Sequence, residues 1–477
     1  MQKVTLALML AWLCLPAAAQ YEERLPIPVA RALKAAAIPA SAVAVVVQEV
    51  SVNLPRVSVN AGQPLNPASL MKLLTTYAAL ETLGPAFTWK TEVWINGEIR
   101  DGVLNGDLYL KGGGDPKLTF EQFWLLLRNL RARGLREIRG DLVVDRSLFA
   151  VPALADFDDQ PLRPYNVSPD ALLLNFKSIR LQFIPGQNGV AVLAEPLPDN
   201  LELINRIKPS NNGGNSGCGD WREGLRTEVS QQERRTRLTL SGSYSMSCGE
   251  KTWNLGVLSH PQYVAGVFRQ LWQEQGGTLT GGLREAVVPE AARLLAGAES
   301  PSLAEVVRDI NKYSNNVMAR QLFLTLGAES VRSGKSLATA ADADLAVRAW
   351  LLQKNLRFPE LILENGSGLS RRERISAENL ARLLATAWQS PLMPEFIASL
   401  PLSAIDGTMK KRLRQNGVAG QAHIKTGSLE GVKAIAGYVH DSRGKWNIVV
   451  FLVNHPNAAA AQGAQDALLQ WVFERGA

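Results

Sequence analysis

The sequence predicts an α/β domain assembled from two separated pieces of chain, with a large, mainly β segment inserted between them. Three observations carry this. Two β-branched runs and two helices precede residue 87, strand-length runs broken by Asn- and Gly-rich turns fill residues 87–254, and helices dominate residues 255–477 before a closing hairpin and helix. With 46% hydrophobic and 20% charged residues spread over 477 positions, the chain can bury a sizeable core and should hold two or three domains.

Residues 1–19 are excluded from the fold. Lys3, the apolar run "VTLALMLAWLCL", Pro16 and the small residues Ala17, Ala18 and Ala19 fit a secretory signal cleaved after Ala19. The run is too short to span a bilayer, and Cys14 lacks the small residue that precedes a lipidated cysteine. The mature chain, residues 20–477, is therefore expected to be exported and soluble. Cys218 and Cys248 remain after cleavage, both in polar surroundings, and in an oxidising compartment a disulfide is expected. The formal charge of +7 comes from scattered lysines and arginines with no basic run, which argues against a nucleic-acid partner.

A short helix near "PVARALKAAA" leads into "SAVAVVVQEV" and "RVSVNAG", expected to pair as strands. "SLMKLLTTYAALETLG" reads as a helix that begins at Ser69 and stops at Gly84 and Pro85. In the insertion, Asn96-Gly97 and Asn105-Gly106 are predicted as hairpin turns, and "TFEQFWLLLRNLRARG" as a helix opened by a Thr119/Gln122 capping box. Strands in "IRGDLVVD", "SIRLQFIPGQNGVAVL" and "RTRLTLSGSYS" follow. After residue 254 come "SLAEVVRDINKYS" with a Ser302/Glu305 box, "NVMARQLFLTLG" stopping at Gly327, and the strands "VKAIAGYVHD" and "WNIVVFLVNH". A last helix carries Ala464, Leu468, Trp471, Val472 and Arg475 at helical spacing, a stripe expected to face the core rather than a membrane surface.

Three short stretches could carry chemistry. Ser69 and Lys72 share one helix face, so a hydroxyl and an amine come within hydrogen-bond reach. Such a serine becomes a nucleophile if the lysine is neutral, which needs burial or a second cation nearby. The spacing alone proves little, since Ser442 and Lys445 repeat it in the "SRGK" turn. Ser314 and Asn316 lie in the break between two helices, though Ser210 and Asn212 copy that pattern as well. Lys425, Thr426 and Gly427 in "HIKTGSLEG" sit on an expected edge strand facing the helix of Ser69. There Gly427 would admit a substrate backbone and Lys425 would supply the second cation.

In their order along the chain, Ser69/Lys72, Ser314/Asn316 and Lys425-Thr426-Gly427 resemble the three active-site motifs of penicillin-binding proteins and serine β-lactamases. The long insertion, with "GVLNGDLYLKGGGDP", "ENGSGLSRRE" and "KTGSLEGVKAIAGYV", is similar to the D-alanyl-D-alanine carboxypeptidase/endopeptidases of the class C low-molecular-mass penicillin-binding proteins, across essentially the whole mature chain. The resemblance implies a transpeptidase or serine β-lactamase-like domain, an antiparallel sheet flanked by helices, in residues 20–86 and 255–477. The β-rich insertion would then be residues 87–254.

It further implies that Ser69 is acylated, Lys72 is its base, Ser314 relays a proton, Asn316 holds the substrate amide, and Lys425 with Thr426 and Gly427 binds the terminal carboxylate and peptide. The oxyanion would lie between the N–H groups of Ser69 and Ser428, a position where many relatives have threonine. Asp158 and Asp159 in "FDDQP" are alternatives for reading a diaminopimelate-type amine, and Arg371 and Glu430 are further substrate-binding candidates. Peptidoglycan stem peptides would be substrates and β-lactam antibiotics covalent inhibitors, in the periplasm. No cofactor and no metal is implied. A homodimer and a loose attachment to the membrane surface are left open.

Two rivals exist. A β-lactamase would need a water-activating group, and no glutamate followed by Leu-Asn occurs at the usual place between the second and third motifs. A silent peptidoglycan-binding module would not require Ser69, Lys72 and Lys425 to be intact. "KGGGDPKL" lacks the lysine-hydroxyl ending of a phosphate loop and reads as a turn capped by Asp115. The four histidines are too dispersed for a metal site, and His423 is expected to be a satisfied sheet residue.

Overall fold

The structure, a computed structural model, describes residues 24–150, 157, 158, 160–210, 218–232, 235–331, 337–415 and 417–475. The expected signal segment lies outside the described residues. Both ends of the chain meet in one antiparallel sheet with strand order Ala422–Leu429, Val432–His440, Trp446–Asn454, Val43–Glu49 and Val57–Val59. Its central strands are apolar on both faces because both are covered. Along Val43–Glu49 the side chains alternate. Val43, Val45 and Val47 join the core formed with the helices Ile27–Ala35 and Gln462–Arg475, while Ala44 and Val46 join the core under the main helical layer.

That helical layer is built around Met71–Leu83, whose first ten residues are all buried. Helices Leu303–Tyr313, Asn316–Ser330, Ala340–Gln353, Ala377–Gln389 and Met393–Ser399 surround it. A helix sunk among others on every side needs no polar face. The stripe Ala464, Leu468, Trp471 and Val472 is buried, so the closing helix is a core helix as expected. Among the described residues no helix is long and apolar enough to cross a membrane.

The insertion is larger than its local pattern indicates. Strands Thr278–Leu279, Leu283–Glu285 and Arg293–Glu299 pair with Glu137–Ile138, Leu142–Asp145 and Lys90–Arg100, and helix His260–Glu274 packs Phe268 and Leu271 into the same core as Phe123 and Leu127. The β-rich unit therefore runs to Glu299 rather than to residue 254. Those pairings join residues far apart in the chain, which no local period reports.

The Asn-Gly dipeptides are not turns. Lys90–Arg100 and Val103–Lys111 form one long hairpin that reverses at Asp101-Gly102, and Gly97 faces Gly106 inside the ladder. A Cβ at Gly97 would lie 2.3 Å from the Asn105 carbonyl oxygen, so the glycines serve a close strand approach. The Thr119/Gln122 box forms. The Ser302/Glu305 box does not: the Ser302 hydroxyl donates to Glu305 Oε1 at 3.1 Å and makes no bond to the backbone. Gly327 does not stop its helix, which continues to Ser330. A Cβ there would lie 2.8 Å from the Ala343 amide nitrogen, so the glycine lets two helices approach. Cys218 and Cys248 form the expected disulfide.

Candidate active site

Ser69 stands on the 3-10 turn Ala68–Leu70 that opens the Met71–Leu83 helix. The turn is pinned by Asn66, whose side-chain oxygen accepts the Ala68 amide at 2.9 Å and whose amide group donates to the Ser370 carbonyl at 2.8 Å. Ala68 is held at φ +47°, a conformation alanine seldom adopts and one that persists only where neighbours dictate it.

Lys72 is fully buried. Its Nζ lies 2.9 Å from Ser69 Oγ, 2.6 Å from Asn316 Oδ1, and in hydrogen-bond contact with the Ser367 carbonyl oxygen. Two of these neighbours can only accept. A neutral amine has two N–H bonds for them and a lone pair left for the Ser69 hydroxyl. Burial above all, then the positive charges of Lys425 and Arg320, push its pKa well below the usual lysine range, against the opposing pull of Glu373.

Ser314 caps Leu303–Tyr313 in the left-handed conformation at φ +57°, and Asn315 caps the next helix by accepting the Met318 amide at 3.1 Å. Two helices thus meet at a sharp break that presents Ser314 and Asn316 to one cleft, with Asn315 left to hold the joint. Lys425, also fully buried, donates to Ser314 Oγ at 2.8 Å and to the Thr426 carbonyl at 2.8 Å. Burial pushes its pKa down to about 7.

The three motifs are therefore linked in a chain: Ser69 to Lys72, Lys72 to Asn316, and Ser314 to Lys425. Ala422–Leu429 is an edge strand, as expected. Gly427 is required by packing, since a Cβ would come within 2.8 Å of the Pro67 carbonyl oxygen and 3.1 Å of the Ser69 amide nitrogen. The Ile424 amide donates outward to the Pro401 carbonyl at 2.8 Å. By the two-residue repeat of an antiparallel strand, the Thr426 and Ser428 amides point to that same outer edge. Thr426 Oγ1 meets Thr408 Oγ1 at 2.8 Å, and Ser428 Oγ lies 3.4 Å from Lys433 Nζ.

Arg371 and Glu430 come together. The guanidinium donates to the Glu430 carbonyl at 2.9 Å and to its carboxylate at 3.1 Å, and lies 4.8 Å from the centre of the Phe157 ring. Phe157 belongs to "FDDQP", so that segment does reach the rim next to "KTGSLE". Asp158 accepts from Tyr165 at 2.7 Å, Asn166 at 2.8 Å and the Gln160 amide at 3.1 Å, which engages its carboxylate within its own loop. Asp159 lies outside the described residues. Asp115 caps its turn by accepting the Lys117 amide at 2.7 Å, and His423 Nδ1 is 3.2 Å from the Ile397 carbonyl, both as expected. Among the described residues no cluster of His, Cys, Asp and Glu could hold a metal.

Sequence reasoning missed several groups. Ser367 and Glu373 lie within "ENGSGLSRRE", where nothing local says which polar residue is buried. Arg320 is the one basic residue of the helix Asn316–Ser330, which is the signal that could have found it. Thr408 and Asn66 gave no signal.

A family model described as "D-Ala-D-Ala carboxypeptidase 3 (S13) family" matches residues 25–474, and the chain belongs to that family of hydrolases. It is 30% identical over 426 residues to a D-alanyl-D-alanine carboxypeptidase of Actinomadura sp., covering 85% of this chain and 76% of the relative. It is 24% identical over 393 residues to the D-alanyl-D-alanine carboxypeptidase DacB of Haemophilus influenzae, covering 81% and 80%. Its fold is that of the crystal structure of penicillin binding protein 4 (dacB) from Haemophilus influenzae, with TM-score 0.76 at 23% identity over 93% of this chain and 100% of that one. The Bd0816 predatory endopeptidase of Bdellovibrio bacteriovorus shares the fold more distantly, with TM-score 0.52 at 14% identity over 90% and 92%.

Proposed function

We propose that the protein is an exported, periplasmic serine DD-peptidase that removes the terminal D-alanine of peptidoglycan stem peptides and also cuts D-Ala–diaminopimelate crosslinks. The observation that carries this is the setting of Lys72. Its amine is desolvated, its two N–H bonds are matched to two carbonyl-type acceptors, and its remaining position faces the Ser69 hydroxyl.

In acylation, Lys72 takes the Ser69 proton as Oγ attacks the carbonyl carbon of the penultimate D-alanine. The resulting oxyanion is met by the Ser69 and Ser428 amides, donors oriented before the charge develops. The substrate's terminal carboxylate sits on Lys425 and Thr426, Asn316 holds the substrate amide, and the flat surface at Gly427 lets the peptide lie against the edge strand. Ser314, bonded to Lys425, passes its hydroxyl proton to the departing amine and takes in its place the proton that Lys72 removed from Ser69, which leaves Lys72 neutral again. Water then hydrolyses the ester and restores Ser69. In a crosslink the departing amine belongs to a diaminopimelate side chain, which Arg371, Glu430 and the 157–159 loop would read. The N-terminal apolar segment and the disulfide support export.

Mass spectrometry after incubation with penicillin tests the reading. One adduct on the peptide carrying Ser69, absent from Ser69→Ala, is expected. An unmodified protein would favour a silent module, and rapid turnover of a chromogenic cephalosporin would favour a β-lactamase. Digestion of crosslinked muropeptides, followed by HPLC, tests the endopeptidase activity.

A further inference from the structure

Behind Lys72 lies a carboxylate that the reaction as described does not use. Glu373 is fully buried. Its Oε1 accepts three successive backbone amides, those of Glu364, Asn365 and Gly366, at 3.1, 3.0 and 3.3 Å. Its Oε2 is equally buried and meets no hydrogen-bond partner among the described residues. The segment held this way is the one that turns the Ser367 carbonyl onto Lys72.

The rest of that segment is held tightly too. Thr75 Oγ1 donates to the Gly366 carbonyl at 2.7 Å, Asn365 accepts the Ser367 amide at 2.9 Å, and a Cβ at Gly368 would lie 1.9 Å from the Ala68 carbonyl oxygen. Burial pushes the Glu373 pKa up from the usual carboxylate range, while its bonds to the Asn365 and Glu364 amides and the charge of Lys72 oppose that rise and favour the carboxylate. The charged groups around it are Lys72 on the Met71–Leu83 helix, Arg320 on the Asn316–Ser330 helix and Glu364 on its own loop. Lys425 acts on Lys72 from the edge strand.

We infer that Glu373 is a positioning residue for Lys72: through three backbone amides it anchors the loop that sets the Ser367 carbonyl on the Lys72 amine, and it places a carboxyl group behind that amine. The inference rests on Lys72 being the general base. Two opposing requirements explain the arrangement. Lys72 must be neutral before attack, which Lys425 and Arg320 favour, yet must accept a proton during attack, which a nearby anion favours. Glu373 stands where it can support the second without exposing the amine to water. Its electrostatic pull on Lys72 is opposite in sign to that of Arg320.

The test is the pH dependence of the second-order rate of acylation by penicillin. Neutral Lys72 is the active form, so the rate rises as pH passes its pKa. Glu373→Gln keeps an oxygen for the three amides and removes the charge, so the acid limb should move down by about one pH unit. Arg320→Gln removes a cation and should move the limb up. Glu373→Ala, which also frees the loop, should show the same shift and lose about tenfold in the plateau rate above the limb, and Gln at this position should recover most of that loss. Near-UV circular dichroism identifies the folded variants. If Glu373→Gln does not fold, the limb of Glu373→Ala decides. An unmoved limb in a folded variant overturns the inference. Full acylation by Lys72→Ala would instead overturn the assignment of the base itself.

Discussion

The chain contains two serine-lysine pairs at the same spacing, and they behave differently. Half-buried Ser69 meets fully buried Lys72 at 2.9 Å, where the amine is surrounded by two carbonyl-type acceptors and two further cations. Ser442 and Lys445 lie on the turn before Trp446–Asn454. There the Lys445 side chain is 52% exposed and its Nζ reaches Glu49 at 2.8 Å, while the Ser442 hydroxyl points to the Glu474 carbonyl at 3.5 Å. Spacing brings an amine near a hydroxyl in both pairs, but only Lys72, the base we propose, is removed from water and set among other cations. Lys445 has a carboxylate on it and water around it.

Removing each lysine exposes the contrast most strongly. Lys72→Ala should lower penicillin acylation by about 10³-fold, the range for loss of a positioned base, whereas Lys445→Ala should leave the rate unchanged. Stopped-flow or gel-based labelling reads both. A comparable loss in both variants would end the distinction.

Gly427→Ala should come next. The added Cβ meets the Pro67 carbonyl and the Ser69 amide, displacing the edge strand from the nucleophile. Roughly 10²-fold in kcat/KM on a D-Ala-D-Ala peptide is expected, with little change in melting temperature.

A smaller effect follows from Lys425. Burial lowers its pKa to about 7 in the free enzyme, so it is charged below that pH and increasingly neutral above it. Substrates with a free terminal carboxylate should bind less well as pH rises through about 7, by several-fold in KM, while an esterified or amidated analogue should show no such trend. The smallest effect is again at the surface. Lys445→Ala should change stability by no more than about 1 kcal/mol, because an exposed ion pair contributes little. Chemical denaturation measures it.

Much of this was legible in the residue order. The antiparallel sheet flanked by helices, the edge strand carrying Lys425, the helix opening at Ser69 and the disulfide all appear as expected, because each depends on short-range patterning or on a residue type with few uses. What failed depended on which partner each group finds in the fold. Asn96-Gly97 and Asn105-Gly106 have the composition of turns, yet they lie opposite each other within one ladder. Ser302 and Glu305 have a capping pattern, but their side chains bond to each other. The end of the insertion was misplaced because Thr278–Leu279, Leu283–Glu285 and Arg293–Glu299 find their partners more than a hundred residues earlier.

By itself, the sequence determined which groups could react: a hydroxyl and an amine one helical turn apart, a second Ser/Asn pair at a helix break, and a lysine beside a glycine on a strand. Only the tertiary structure decided which of the repeated patterns is chemical. It buries Lys72 and Lys425 in one cleft, places Asn316 and the Ser367 carbonyl on the two N–H bonds of Lys72, and sets Glu373 and Arg320 behind it. Proton affinity depends on desolvation and on charges brought close through space, and neither quantity is contained in the spacing of residues along a chain.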